Sequence, residues 1–320
     1  MSRILVTGRI PDAAVERLRA EHDVDAWTGA ESIGRDQLLR RAAGSDAVVS
    51  LLTDRIDREL LDAAGPRLKV VANVAVGYDN IDVAACSERG VVATNTPGVL
   101  TEATADIAFA LILMATRRLG EGERLIRSGD AWKWGMSFLL GTGLQGKTLG
   151  VVGMGGIGRA TARRARAFGM DVVYQSRSAV DPGVAAELDA RRVELDELLE
   201  IADVVSLHCP YSPATHHLIG ARQLAAMKPS AVLVNTARGP IVDEDALATA
   251  LDERVIASAG LDVYEHEPRV HPALLRLQNV VLLPHLGSAT VETRTAMATL
   301  AADNVLAVLR GDQPPTPITR

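Results

Sequence analysis

Arg238 and His285, each just after a β-like run, together with Glu265 or Glu267, have the types needed to reduce a carbonyl on an anionic substrate. Such chemistry needs a cation for the anionic group, a proton donor for the carbonyl oxygen, and a group that orients the donor. Arg238 lies in Asn235-Thr236-Ala237-Arg238-Gly239. A guanidinium there can grip a carboxylate through two parallel hydrogen bonds, although a structural ion pair would suit an arginine equally well. His285, in Pro284-His285-Leu286-Gly287-Ser288, is the best placed of seven histidines for acid chemistry near neutral pH; His208, also at a strand end, is its main rival. A carboxylate beside His285 would fix its ring and favour its protonated form. The segment Leu261-Asp262-Val263-Tyr264-Glu265-His266-Glu267-Pro268 offers Glu265 and Glu267, and the pattern does not choose between them.

A second group of residues is built for phosphate. Val151-Val152-Gly153-Met154-Gly155-Gly156-Ile157-Gly158 follows a strand-like run, and a helical pattern over residues 159–167 follows it. In that setting the glycine pattern predicts a dinucleotide site. Gly153 permits the tight turn, Gly155 lets the backbone approach the pyrophosphate, and Gly158 lets the helix pack on the strand. The helix start, with Gly156 and Ile157, presents free N–H groups and a partial positive charge. The next strand ends Tyr174-Gln175-Ser176-Arg177-Ser178, without the acid that usually holds the ribose 2′-hydroxyl of NAD. Gln175 cannot repel a 2′-phosphate and Arg177 can pair with one, so Ser176, Arg177 and Ser178 favour NADP(H) over NAD(H). A solvated surface arginine is the alternative. Gly141-Thr142-Gly143-Leu144-Gln145-Gly146-Lys147-Thr148 matches the nucleotide phosphate-loop pattern, but it follows a loop and opens a strand, the reverse of the required setting.

An α/β framework must position these groups. Apolar, β-branched runs at residues 4–6, 47–52, 70–74 and 91–93 alternate with helical stretches at 12–20, 35–43 and 58–63. Such alternation predicts a parallel sheet with helices on both faces. After the turn-rich Thr94-Asn95-Thr96-Pro97-Gly98, Thr101 is expected to cap a helix running to Ala115, and residues 129–146, with Trp132 and Trp134, to form a loop. A second series places strands at 149–152, 171–174, 204–207, 231–235, 257–261 and 280–283, and a last helix over 290–310 stops at Gly311. The expected fold class is therefore α/β with two doubly wound parallel-sheet domains, which 320 residues also favour.

Composition narrows the partners. Charged residues make up 23% of the chain, the net charge is −6, and no long basic block is present, which argues against nucleic acid. The longest apolar helix candidate, residues 107–114, is well short of the roughly 20 residues that span a membrane. The N-terminal apolar run is too short for a signal peptide. Cys86 and Cys209 form no disulfide framework and no CxxC metal pair, so no metal is expected and a cytoplasmic location is the simplest.

Together these segments resemble the D-isomer-specific 2-hydroxyacid dehydrogenases, most of all the glyoxylate/hydroxypyruvate reductase branch. The resemblance covers nearly the whole chain. It rests on Asn73-Val74-Ala75-Val76-Gly77-Tyr78-Asp79-Asn80-Ile81-Asp82, Asn95-Thr96-Pro97-Gly98, Thr101-Glu102-Ala103-Thr104-Ala105-Asp106, the glycine turn, Thr236-Ala237-Arg238-Gly239, Gly260-Leu261-Asp262-Val263-Tyr264 with Glu267-Pro268, and Pro284-His285-Leu286-Gly287-Ser288. It implies Arg238, Glu267 and His285 as the catalytic triad and prefers Glu267 to Glu265. It implies that the N–H groups of Val76 and Gly77 join Arg238 and His285 in binding the substrate. It also implies that Thr104, Pro210, Thr236, Ala237, Asp262 and Gly287 border the cofactor. The layout it implies is a flavodoxin-like substrate domain, residues 1–97 plus 289–320, into which a Rossmann NAD(P)-binding domain, residues 98–288, is inserted, with hinges near 98 and 288. The implied activity is reduction of a small 2-keto acid, glyoxylate or hydroxypyruvate, to glycolate or D-glycerate, by a homodimer joined through the nucleotide domain. Other 2-hydroxy acids, and a dinucleotide-sensing binding protein on the same fold, are the alternatives.

Overall fold

The computed structural model describes residues 1–319. The chain forms two compact units, Met1–Leu100 with Ser288–Arg320, and Thr101–Gly287. The crossings fall at 100/101 and 287/288, against the expected 97/98 and 288/289.

The first unit holds strands β1 (Arg3–Val6), β2 (Asp23–Ala26), β3 (Ala47–Ser50), β4 (Val70–Asn73) and β5 (Val92–Thr94). They pair in parallel in the order β2-β1-β3-β4-β5, one of the common doubly wound orders. β3 and β4 are buried at every position, which is why they read as apolar runs interrupted only at their ends by Ser50 and Asn73. β2, with the sequence DVDA, lies at the edge and gave no such signal. The last helix, Val291–Arg310, packs on β3, β4 and the helix Asp12–Arg19, a return that periodicity did not reveal. Thr290 is its cap rather than its first residue: the side chain accepts from Thr293 N, and Gly311 closes the other end in the left-handed conformation.

The second unit holds β6 (Thr148–Val152), β7 (Asp171–Gln175), β8 (Ala190–Arg192), β9 (Val204–Leu207), β10 (Val232–Asn235), β11 (Ser258–Leu261) and β12 (Val280–Leu282). All pair in parallel in the order β12-β11-β10-β9-β6-β7-β8, a Rossmann arrangement that reverses direction at β6. Register matters most for the site. Val152 lies beside Leu207, Leu207 beside Asn235, Asn235 beside Leu261, and Leu261 beside Leu282. The residues that follow these strands therefore emerge along one edge of the sheet.

Thr101–Thr116 is one helix, with Thr101 inside it rather than before it. Beyond it runs a helix, Leu119–Ser128, that the sequence did not reveal and that buries none of its residues. Trp132 stacks on Phe138, and Trp134 is 76% exposed, so neither ring is a core residue of this chain.

Candidate active site

Past the carboxyl ends of β11 and β12, His285 and Glu267 come together. His285 Nδ1 lies 2.8 Å from Glu267 Oε2, and Glu267 Oε1 accepts from Tyr264 N at 2.9 Å. Burial pushes the Glu267 carboxyl up, but the hydrogen bond and charge of His285, the Tyr264 N–H and the charge of Arg238 outweigh it and leave the group below the ordinary glutamate range. The ambiguity between two glutamates has a geometric answer: Glu265 Oε1 is 2.7 Å from His217 Nε2, whereas Glu267 faces His285. His208, the rival acid, bonds Ser206 Oγ through Nε2, and burial lowers its pKa to about 4, so it is neutral at physiological pH.

His285 adopts φ 55°, a left-handed conformation that is uncommon for residues other than glycine. Asp262 holds it there. The Asp262 carbonyl accepts from His285 N at 2.9 Å, and its carboxylate accepts from Leu286 N at 2.6 Å and Gly287 N at 2.8 Å. Burial raises the Asp262 pKa against these bonds. Thr104 ties the turn from the other side, its Oγ1 donating to Gly287 O at 3.1 Å. Asn235 plays the matching part under Arg238: its Oδ1 accepts from Ala237 N at 3.0 Å and its Nδ2 donates to Arg238 O at 2.9 Å. Sequence reasoning missed Asn235 altogether. Its signal, a polar residue ending an otherwise apolar strand, was available.

The glycine turn follows β6, and its helix is Gly156–Ala167, three residues longer at the start than the pattern suggested. Gly156, Ile157 and Gly158 thus form the first turn, where N–H groups lack helical partners, and that turn carries no acidic residue. A dinucleotide fits these residues. Gly153, at φ 97°, passes so close to the next strand's end that a Cβ would meet Cys209 N at 2.4 Å, and a Cβ on Gly158 would meet Gly153 O at 2.3 Å. Gly155 instead faces open space at the helix start. Thr236 Oγ1 is buried without a hydrogen-bond partner among the described residues, and Pro210 stands exposed after β9. Past β7, Ser176 Oγ donates to Ser178 O at 2.6 Å and Arg177 is exposed. A second cation that the sequence reading passed over, Arg192 at the end of β8, donates to Ser176 O at 2.9 Å and Arg177 O at 3.3 Å.

Val76 and Gly77 lie in the first unit, in the loop after β4. The rejected phosphate-loop pattern, Gly141 to Thr148, runs through a loop into β6, as its context required. No helix of the described residues is long and apolar enough to cross a membrane.

Residues 109–287 match the family model of the D-isomer specific 2-hydroxyacid dehydrogenase NAD binding domain. With that match and the two parallel α/β units, the chain belongs to the D-isomer specific 2-hydroxyacid dehydrogenases and is an oxidoreductase. A glyoxylate reductase of Thermococcus litoralis is 46% identical over 99% of this chain and 97% of its own length. Among solved structures, a glyoxylate reductase from Paecilomyes thermophila superposes with a TM-score of 0.90 at 38% identity, covering 99% of this chain and 98% of the other. An NADPH-dependent glyoxylate/hydroxypyruvate reductase from Sinorhizobium meliloti gives 0.86 at 38% identity, covering 100% and 98%.

Proposed function

We propose that this chain reduces small 2-keto acids, glyoxylate and hydroxypyruvate foremost, to glycolate and D-glycerate, and prefers NADPH to NADH. The observation that carries the mechanism is the His285–Glu267 pair. Because Nδ1 of His285 faces Glu267, Nε2 is the nitrogen left to give a proton, and it makes no hydrogen bond among the described residues. Arg238 holds the substrate carboxylate and polarises the carbonyl, and the N–H groups of Val76 and Gly77 share the carboxylate. His285 gives its proton to the carbonyl oxygen, while Glu267 orients the ring and stabilises the imidazolium. The nicotinamide, when bound, supplies the hydride. Gly153, Gly155, Gly156, Ile157 and Gly158 would hold its pyrophosphate, Thr236, Ala237, Pro210, Thr104, Asp262 and Gly287 would border it, and Ser176, Arg177 and Ser178 would take a 2′-phosphate.

The names of the similar reductases support the substrate class. Arg177, with no acid beside it, supports the NADPH preference. The homodimer draws support from the large exposed apolar side chains Ile126, Trp134, Met136 and Leu140 of the second unit. Two free cysteines fit a reducing cytoplasm. The test is initial rates with glyoxylate, hydroxypyruvate and pyruvate, each with NADPH and NADH. Fast turnover of the first two with NADPH is expected. A strong pyruvate preference would overturn the substrate assignment, and an NADH preference would overturn the role given to Arg177.

A further inference from the structure

The loop after β4 carries its hydrogen bonds in an unusual distribution. The carbonyls of Ala75, Val76 and Gly77 are tied, whereas the N–H groups of Val76 and Gly77 are not. Thr96 N donates to Ala75 O at 2.9 Å, Asn95 Nδ2 donates to Val76 O at 2.7 Å, and Asn73 Nδ2 donates to Gly77 O at 3.0 Å. Neither Val76 N nor Gly77 N donates to any group among the described residues.

A trans peptide is planar, with its C=O and N–H pointing in opposite directions. The plane that ends in the Val76 carbonyl is also the plane that holds the Gly77 N–H. Fixing Val76 O from one side therefore aims Gly77 N–H to the other. The same holds for Ala75 O and Val76 N–H. Two successive N–H groups aimed in this way form an anion-binding concavity.

We propose that Asn95 is a positioning residue for substrate binding: its side-chain amide, through Val76 O, aims the Gly77 N–H at the substrate carboxylate. This inference rests on the reading that the Val76 and Gly77 amides bind that carboxylate.

Asn95 is itself clamped. Its N–H donates to Thr316 O at 3.3 Å and its carbonyl accepts from Thr316 Oγ1 at 2.6 Å. Thr316 N in turn donates to Asn304 Oδ1 at 2.9 Å, on the last helix. On the other side, Asn73 is fully buried, and its Oδ1 accepts from Ser50 Oγ at 3.1 Å. Asn80 Nδ2 reaches Leu51 O at 3.2 Å and Asp54 O at 2.9 Å, which fixes the floor beneath the loop. A side chain used only to fill space would not need a donor at Val76 O and two backbone anchors of its own.

The test compares the full-length protein with Asn95→Asp, which keeps the shape but sets a carboxylate oxygen against Val76 O, and with Asn95→Ala. Kinetics with NADPH should show the KM for glyoxylate raised by about tenfold or more, a smaller fall in kcat, and an unchanged KM for NADPH. A general loosening of the fold would instead lower kcat and the melting temperature with no selective change in the keto-acid KM, and that result overturns the proposal. A second readout needs no turnover: the amide resonance of Gly77, followed by NMR during titration of the NADPH-saturated protein with oxamate, an unreactive relative of a 2-keto acid. The wild-type resonance should shift, and Asn95→Ala should need about ten times more oxamate for the same shift. A wild-type Gly77 amide that ignores oxamate defeats the carboxylate reading itself. A variant that responds at the wild-type concentration defeats the role of Asn95 alone.

Discussion

Replacing Glu267 with glutamine is the most direct probe of the triad. The side chain keeps its size, and a neutral oxygen can still accept from His285 Nδ1 at the present 2.8 Å, so the ring need not move. What is lost is charge. Two unit charges at that separation would interact by about 6 kcal/mol at an effective dielectric constant of ~20. Both side chains retain some solvent, 29% for His285 and 31% for Glu267, which reduces that figure considerably. A hydrogen bond to a charged group contributes about 1.5–3 kcal/mol and a neutral one about 1, so the net loss is about 1–2 kcal/mol. If that loss falls on the proton-donating state, kcat should drop about 5- to 30-fold, at about tenfold per 1.4 kcal/mol.

The assay is steady-state reduction of glyoxylate at a fixed neutral pH. His285→Ala, which removes the donor, should lose far more turnover, about 10²- to 10⁴-fold, while still binding NADPH. The stability side has a definite sign. The Glu267 carboxyl is held below its ordinary value, so its stabilising contribution is complete above the unfolded pKa of ~4.3 and is lost as pH falls through the lower folded value. Glu267→Gln should therefore remove part of the loss of stability seen on acidification. An unchanged kcat in Glu267→Gln would refute the assignment of this carboxylate as the partner of the acid.

Three further outcomes are expected. Arg177→Ala should raise the KM for NADPH several-fold and leave that for NADH within about twofold, because only NADPH carries the 2′-phosphate; equal effects on both would remove Arg177 from that role. Gly239→Ala should cost about 1–3 kcal/mol in denaturant unfolding and depress activity, since its Cβ would lie 1.8 Å from the Tyr264 carbonyl carbon, between Arg238 and the segment bearing Glu267. Trp134→Glu should halve the mass observed by light scattering if the exposed Trp134 lies where two copies join; a monomeric wild type would overturn the dimer.

What the sequence made legible followed from burial. Strands enclosed on both faces, such as β4 and β9, are mostly apolar, with one buried polar residue each, and the glycine turn between β6 and its helix could be placed from its context. The edge strands β2 and β8, DVDA and ARR, are only partly buried or exposed, so they carry no such signature. The helix Leu119–Ser128 has no fully buried residue in this chain, and Gly120 and Gly122 weaken its helical signal. At the site, residue types singled out the arginine and the histidine; local pattern left Glu265 and Glu267 open, the family resemblance preferred Glu267, and the structure sets Glu267 rather than Glu265 against His285. The supports stayed hidden for a related reason. Asp262 and Thr104 act through backbone groups that are close in space but far along the chain, with Thr104 and Gly287 183 positions apart. No local pattern records such a contact.

That last contact bears on how the molecule could be cut and rejoined. The second unit begins at Thr101 and ends at Gly287, and Thr104 bonds Gly287 across 3.1 Å, so the two ends of the inserted piece lie next to each other. A module whose ends meet can be expressed on its own, circularly permuted with a short linker, or transplanted into another host loop without prying that loop apart. The nucleotide-binding half of this chain is in that sense already portable.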